Sequence, residues 1–147
     1  DRYASRGLGD VYKRQCIAMG AFLMLACDYR IGAAGGFKTG LNETMIGMTM
    51  HHFGIELARY RIPLNYFHRC VINAEIWSPT DAVKAGFYDQ AVPVEELEKA
   101  TSIIVKGFAQ LNMTAFNGTK NKSRAAILRL LDECIESDMV MPDVLPI

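Results

Sequence analysis

The sequence predicts an α/β domain, because short β patterns alternate with helices whose ends are marked by capping and breaking residues. Three segments carry that prediction. Residues 28–34, Asp-Tyr-Arg-Ile-Gly-Ala-Ala, read as a strand with Tyr29 and Ile31 on one face. Residues 78–86 carry complete helix punctuation: Ser78 at the N-cap, Pro79 at N1, Asp81 completing an S-x-x-D box and Gly86 as the stop. Residues 120–135 place Ile127, Leu128, Leu130, Leu131, Cys134 and Ile135 along one amphipathic stripe. Hydrophobic residues make up 50% of the 147, enough for a packed core.

Taken in order, residues 1–15 stand apart. They are polar and Gly/Arg-rich with no period, and the string from Ser5 to Gln15 looks like a translated transposon-end sequencing adapter. They are set aside as a non-native leader. Cys16 sits at the junction, which leaves its native identity open. Residues 21–27 are strong helix formers, too few for a free helix but adequate for a buried one. After the strand at 28–34, Gly35-Gly36 breaks the chain, 37–39 form a short strand and 40–47 a turn bearing one acid. Residues 51–61 read as a helix covered by Phe53, Ile55, Leu57 and Ala58, ended before Pro63, and 65–72 as a second. Residues 87–92 are a strand halted by Pro93. Residues 95–111 are a helix with acidic residues in its first turn, where they complement the helix dipole.

The leader holds four of the 16 Lys/Arg and two of the 16 Asp/Glu, which leaves 12 basic against 14 acidic residues, a net of −2. A nucleic-acid-binding footprint needs clustered basic charge and is excluded as an expectation. The four cysteines, Cys16, Cys27, Cys70 and Cys134, show no metal-ligand spacing and read as reduced thiols, three of them in apolar surroundings. No metal is expected. The apolar run 17–26 is too short for a bilayer and no signal peptide precedes it, so a cytoplasmic protein without a membrane span is expected. The three Asn-x-Thr matches at Asn42, Asn112 and Asn117 are read as chance.

The chemistry concentrates in two places. Glu43 lies in the turn Gly40-Leu41-Asn42-Glu43-Thr44 among Leu41, Met45, Ile46 and Met48. A lone acid there either finds a partner or has its pKa raised by lost hydration, and a raised carboxylate suits proton abstraction. Upstream, Ala18-Met19-Gly20-Ala21 runs into an apolar helix, and a turn that opens a helix points unpaired N–H groups outward, where they can hold a developing oxyanion. Acid plus oxyanion turn is a constellation for enolate chemistry. Asp28 reads as a structural acid, paired with Arg30 or a backbone N–H. His51 and His52 read as helix N-terminal or subunit-contact residues and His68 as surface. Met45, Met48 and Met50 are either acyl-pocket or plain core residues.

Three ordered motifs carry a resemblance: the oxyanion turn and helix ending in Cys27-Asp28, the turn ending in Glu43, and the block Trp77-Ser78-Pro79-Thr80-Asp81-Ala82-Val83-Lys84-Ala85-Gly86-Phe87-Tyr88-Asp89-Gln90-Ala91-Val92-Pro93. From Ile17 onward the chain resembles the C-terminal half of the crotonase superfamily, the enoyl-CoA hydratases and isomerases. The resemblance implies an incomplete crotonase-type spiral of β-β-α units over 16–93 and a helical oligomerisation region over 94–147. It implies an acyl-CoA thioester as substrate with no further cofactor, and assembly as a homotrimer or dimer of trimers. It places catalysis on Glu43 and oxyanion N–H groups at Met19 and Gly20. Substrate-pocket positions fall on Phe22, Met45 and Met48, and CoA-phosphate contacts on Lys120 and Lys122, with a solvated helix turn as the alternative for the lysines. The position of the hydratases' first glutamate is Phe22. Met19 stands where the family usually has Gly, with Gly20 left to relax the turn. Hydration uses two carboxylates, whereas shifting a double bond from C3 to C2 needs one base, so the resemblance favours Δ3–Δ2 enoyl-CoA isomerisation. A hydratase and a non-catalytic acyl-CoA-binding or assembly subunit are the alternatives.

Overall fold

The computed structural model describes residues 15–140; the leader proposed for residues 1–15 lies almost wholly outside them. In chain order the elements are β1 (Cys16–Ile17), α1 (Met19–Ala26), β2 (Ile31–Ala33), β3 (Thr39–Gly40), α2 (His52–Arg61), α3 (Leu64–Val71), α4 (Pro79–Lys84), β4 (Gln90–Val92), α5 (Leu97–Ala109) and α6 (Met113–Val140), with 3₁₀ turns at Thr44–Ile46 and Val94–Glu96. The strands form two parallel pairs. β1 lies on β3 with Cys16 opposite Thr39, and β2 lies on β4 with Gly32 opposite Ala91. Trp77 adds an antiparallel bridge to Thr39.

The expected α/β character holds, with shorter strands than the sequence pattern suggests. Residues 28–30 leave the strand because their groups are engaged elsewhere. The Asp28 carboxylate takes Lys120 Nζ and Arg124 Nη2, each at 2.6 Å. Arg30 turns its guanidinium to Asp89, with Nη2 to Oδ1 at 2.7 Å and Nε to Oδ2 at 3.0 Å, and donates from Nη1 to the Gly86 carbonyl. The expected Asp28–Arg30 pair is therefore replaced by two longer-range ones. Planar guanidinium on carboxylate is the strong form of ion pair, and here it ties the entry of β2 to the end of α4.

The helix at 78–86 forms as its residues dictate. Ser78 Oγ accepts the Asp81 N–H at 3.2 Å, Pro79 occupies N1, and Gly86 takes φ +87°, the left-handed stop that glycine adopts without strain. The last helix is longer than its apolar stripe. Asn112 accepts the Ala115 N–H on its side-chain oxygen at 3.0 Å and starts α6 before Gly118. Its inward row is Arg124, Ile127, Leu131, Cys134 and Asp138, whereas Leu128, Leu130 and Ile135, expected on the same stripe, are exposed.

The core sits between α1, α2, α3 and α4, built on Phe22, Leu25, Leu41, Ala58, Phe67, Cys70, Trp77 and Phe87. α6 docks along α2. Its Asp138 closes the start of α2, accepting the backbone N–H of His52 at 2.9 Å and of Phe53 at 3.0 Å, with His52 Nδ1 at 2.8 Å. His52 is thus the helix N-terminal residue expected, and His68 is exposed as expected. Cys16, Cys70 and Cys134 are buried free thiols, and Cys27 is exposed. Burial pushes Cys16 and Cys70 up to about 11. No helix among the described residues is long and apolar enough to cross a membrane.

Candidate active site

The site begins at the β1–β3 pair. Because these strands run parallel with Ile17 beside Gly40, the segments that follow them, 18–20 and 41–43, leave the same end of the sheet. Ala18 N–H donates to the Gly40 carbonyl at 3.1 Å and carries the pairing one step into the turns. Parallel strands are about 4.8 Å apart, so the two turns emerge side by side. Crevices outside the carboxyl ends of parallel strands are where α/β sheets bind ligands.

The first turn is abrupt. Ala18 has φ 53° and ψ −124°, and its carbonyl already accepts the N–H groups of Ala21 at 2.8 Å and Phe22 at 3.1 Å. Helix α1 therefore starts with no lead-in. Met19 and Gly20 are its first two residues, so neither N–H has an intrahelical carbonyl to bond. Met19 is 56% exposed, and a Cβ placed on Gly20 would meet nothing within 4 Å. The left-handed φ falls on Ala18 and not on Gly20, which corrects the expectation that Gly20 relaxes the turn.

The second turn holds the acid. Glu43 is 6% exposed, and its main-chain carbonyl accepts Ile46 N–H at 3.1 Å and Met48 N–H at 2.9 Å, which folds the 3₁₀ turn over it. Its Oε2 is buried and has no hydrogen-bond partner among the described residues, as is Asn42 Oδ1. Burial raises the Glu43 carboxyl above its ordinary value, opposed by its own backbone N–H and by the charge of His51. This is the environment in which a carboxylate gains basicity.

Around the two turns, Met45, Ile46 and Met48 are exposed together with Met19. Phe22 lies elsewhere than expected. It is 4% exposed in the core, its ring 5.5 Å from that of Phe53 and tight over Gly54, where a Cβ would come within 2.7 Å of it. Met50 is core as well. Lys120 is held by Asp28 at the edge of a separate groove of about 380 Å³ with Tyr29, Phe108 and Phe116. Hydrogen bonding to Lys120, with the charge of Arg124, holds the Asp28 carboxyl below its ordinary value. Lys122 is exposed one residue beyond Asn121 on α6. Among the described residues no group of three or more His, Cys, Asp or Glu is placed to hold a metal. Sequence reasoning missed the strained φ of Ala18, for which an Ala offers no signal, and the Asp138 cap, whose partners lie 85 and 86 residues away.

A sequence model described as enoyl-CoA hydratase/isomerase matches residues 13–143, and the chain belongs to that family. The mitochondrial enoyl-CoA delta isomerase 1 of Mus musculus is 30% identical over 124 residues, covering 83% of this chain and 43% of that protein. Among solved structures, an enoyl-CoA hydratase/isomerase family protein from Pseudomonas syringae is 52% identical with a TM-score of 0.83, over 84% of this chain and 54% of that one. An enoyl-CoA hydratase from Mycobacterium ulcerans is 30% identical with a TM-score of 0.80, over 86% of this chain and 55% of that one. The crotonase-type fold is therefore that of the chain, which spans about half the length of the relatives it matches.

Proposed function

We propose that the full-length protein isomerises 3-enoyl-CoA thioesters to 2-enoyl-CoA thioesters, with Glu43 as the proton carrier. One observation carries the reading: the turn beside Met19 and Gly20 holds a buried carboxylate, Glu43, with an unpartnered oxygen; the resemblance, which puts Phe22 at the sequence position of the hydratases' first glutamate, supports it. Glu43 removes a proton from C2, the C2–H electron pair enters the dienolate and becomes the C2–C3 π bond, and the former C3–C4 π pair takes the same proton at C4. Charge that builds on the thioester oxygen is met by the N–H at Met19, one of two donors needed, with Gly20 N–H beside it. Each such donor is worth about 2.7–4 kcal/mol of barrier. Met19, Met45 and Met48 supply apolar surface for the acyl chain. Lys122 serves the CoA phosphates, and Lys120 joins it by releasing Asp28.

The 30% identity to an enoyl-CoA delta isomerase supports this reading. Hydration is the second reading, supported by the likeness to the M. ulcerans hydratase. Parallel assays of 3-enoyl-CoA and 2-enoyl-CoA with the full-length protein separate them. Isomerisation without water addition is expected, and hydration of the 2-enoyl thioester as the main activity defeats the proposal. Thioester binding without turnover would assign the protein to a non-catalytic role.

A further inference from the structure

We infer that the hydroxyl pair Thr39–Tyr88 is a positioning device for the proposed reaction, setting the separation between the Glu43 turn and the oxyanion turn. The inference rests on the isomerase reading above. Thr39 is fully buried and stands at the head of both turns: it is the register partner of Cys16 in β1, it exchanges backbone hydrogen bonds with Trp77 at 3.1 and 2.8 Å, and Gly40, next in sequence, pairs with Ile17. Its Oγ1 is hydrogen-bonded to the Tyr88 hydroxyl. Tyr88 comes from the other half of the sheet system. It lies two residues before β4, and its ring covers Gly32 of β2 so closely that a Cβ there would collide with it.

Cys16, the register partner of Thr39, donates from Sγ to the Gly20 carbonyl at 3.1 Å. Tyr88 thus ties the β2–β4 pair, through its ring on Gly32, to Thr39 of the β1–β3 pair through its hydroxyl. Thr39 and Tyr88 are themselves buried. Their effect is to fix where β3 ends relative to β1, and so how far the base stands from the oxyanion donors. Misplacement of reacting groups by about 1 Å is worth roughly 100-fold in rate.

The test uses the full-length protein and the variants Thr39→Val, Tyr88→Phe, the double variant, and Thr39→Ser. Melting temperature, kcat on a 3-enoyl-CoA and Kd for a saturated acyl-CoA are measured on each. Each single variant strands one buried hydroxyl or its partner site, so both stability and kcat fall. The double variant replaces the pair by two apolar groups of the same shape, a change that is nearly neutral for folding. The expected result is a double variant that melts close to the parent and binds acyl-CoA within about twofold, with kcat still reduced about tenfold or more. Thr39→Ser, which keeps the hydroxyl, is expected to keep kcat within about threefold. Recovery of kcat together with melting temperature in the double variant overturns the inference, as does a tenfold loss in a Thr39→Ser protein of parental stability. Failure of the underlying reading shows separately, as full turnover by Glu43→Gln.

Discussion

Glu43 carries two opposed demands in one side chain. Its buried, unpartnered oxygen disfavours the charged form, yet the charged form is the base in the proposed reaction. The folded carboxyl titrates above its unfolded value near 4.5, raised by burial. The folded state then holds the proton more tightly, so the stability linked to this group is complete below the unfolded value and is lost as pH rises through the folded one. Glu43→Gln keeps the size and abolishes the charge. In the full-length protein this variant should melt higher than the parent at pH 8, with the difference vanishing near pH 4. Its kcat on a 3-enoyl-CoA should fall about 10²–10⁴-fold, the usual share of a general base. Calorimetry at the two pH values and a turnover assay check both halves. A variant with parental turnover and parental melting at pH 8 would defeat the assignment.

At the scale of elements, Asp138 is the contact that couples the end of α6 to the start of α2. Burial pulls its carboxyl up, but the N–H groups of Phe53 and His52 outweigh it and hold it below its ordinary value of 3.8. The sign is opposite to that of Glu43: this cap stabilises above 3.8 and its contribution drains away as pH falls through the depressed folded value. Asp138→Ala should cost about 0.5–2 kcal/mol, the range of lost N-caps, measured by urea unfolding at neutral pH. Asp138→Asn, which keeps one acceptor, should lose less. Equal stability of Asp138→Ala and the parent would show the contact to be idle. Neither this cap nor the Asp28–Lys120–Arg124 cluster was readable in the chain, because their partners are 86 and 92 residues distant and no local pattern joins them. The helix at 78–86 was readable because each of its signals acts within four residues. α6 starts at Met113, before the amphipathic stripe read at 120–135, with Asn112 Oδ1 accepting the Ala115 N–H at its start. The raised carboxyl of Glu43 was legible from its apolar neighbours; the core position of Phe22 depended on Gly54 and Phe53, which only the fold brings to it.

For the whole molecule, apolar side chains remain uncovered on the outer faces of the last two helices. Ile103 and Val105 on α5, and Leu128, Leu130, Ile135 and Met139 on α6, are all exposed. Patches of this kind associate in water. The 147-residue chain by itself should therefore self-associate at micromolar concentration, seen as concentration-dependent mass in sedimentation velocity. The full-length protein, for which we propose a homotrimer, should give one discrete species. A monodisperse, cooperatively melting monomer in both cases would count against this account of the helical region.

Ala18 gives the turn beside Glu43 a kinetic character as well as a shape. A non-glycine residue held at φ 53° and ψ −124° carries roughly 1–3 kcal/mol of backbone strain. That energy is released when the first turn of α1 opens, so this turn is the end of the helix most ready to unfold locally. The amides of Ala21 and Phe22, which bond to the Ala18 carbonyl, should then exchange with solvent deuterium faster than that of Leu25, a fully buried residue in the last turn of the same helix. Ala18→Gly relieves the strain and should slow their exchange toward that of Leu25. The turn at Ala18 would then be a segment held under tension by its surroundings, opening and closing on its own timescale while the rest of α1 stays shut.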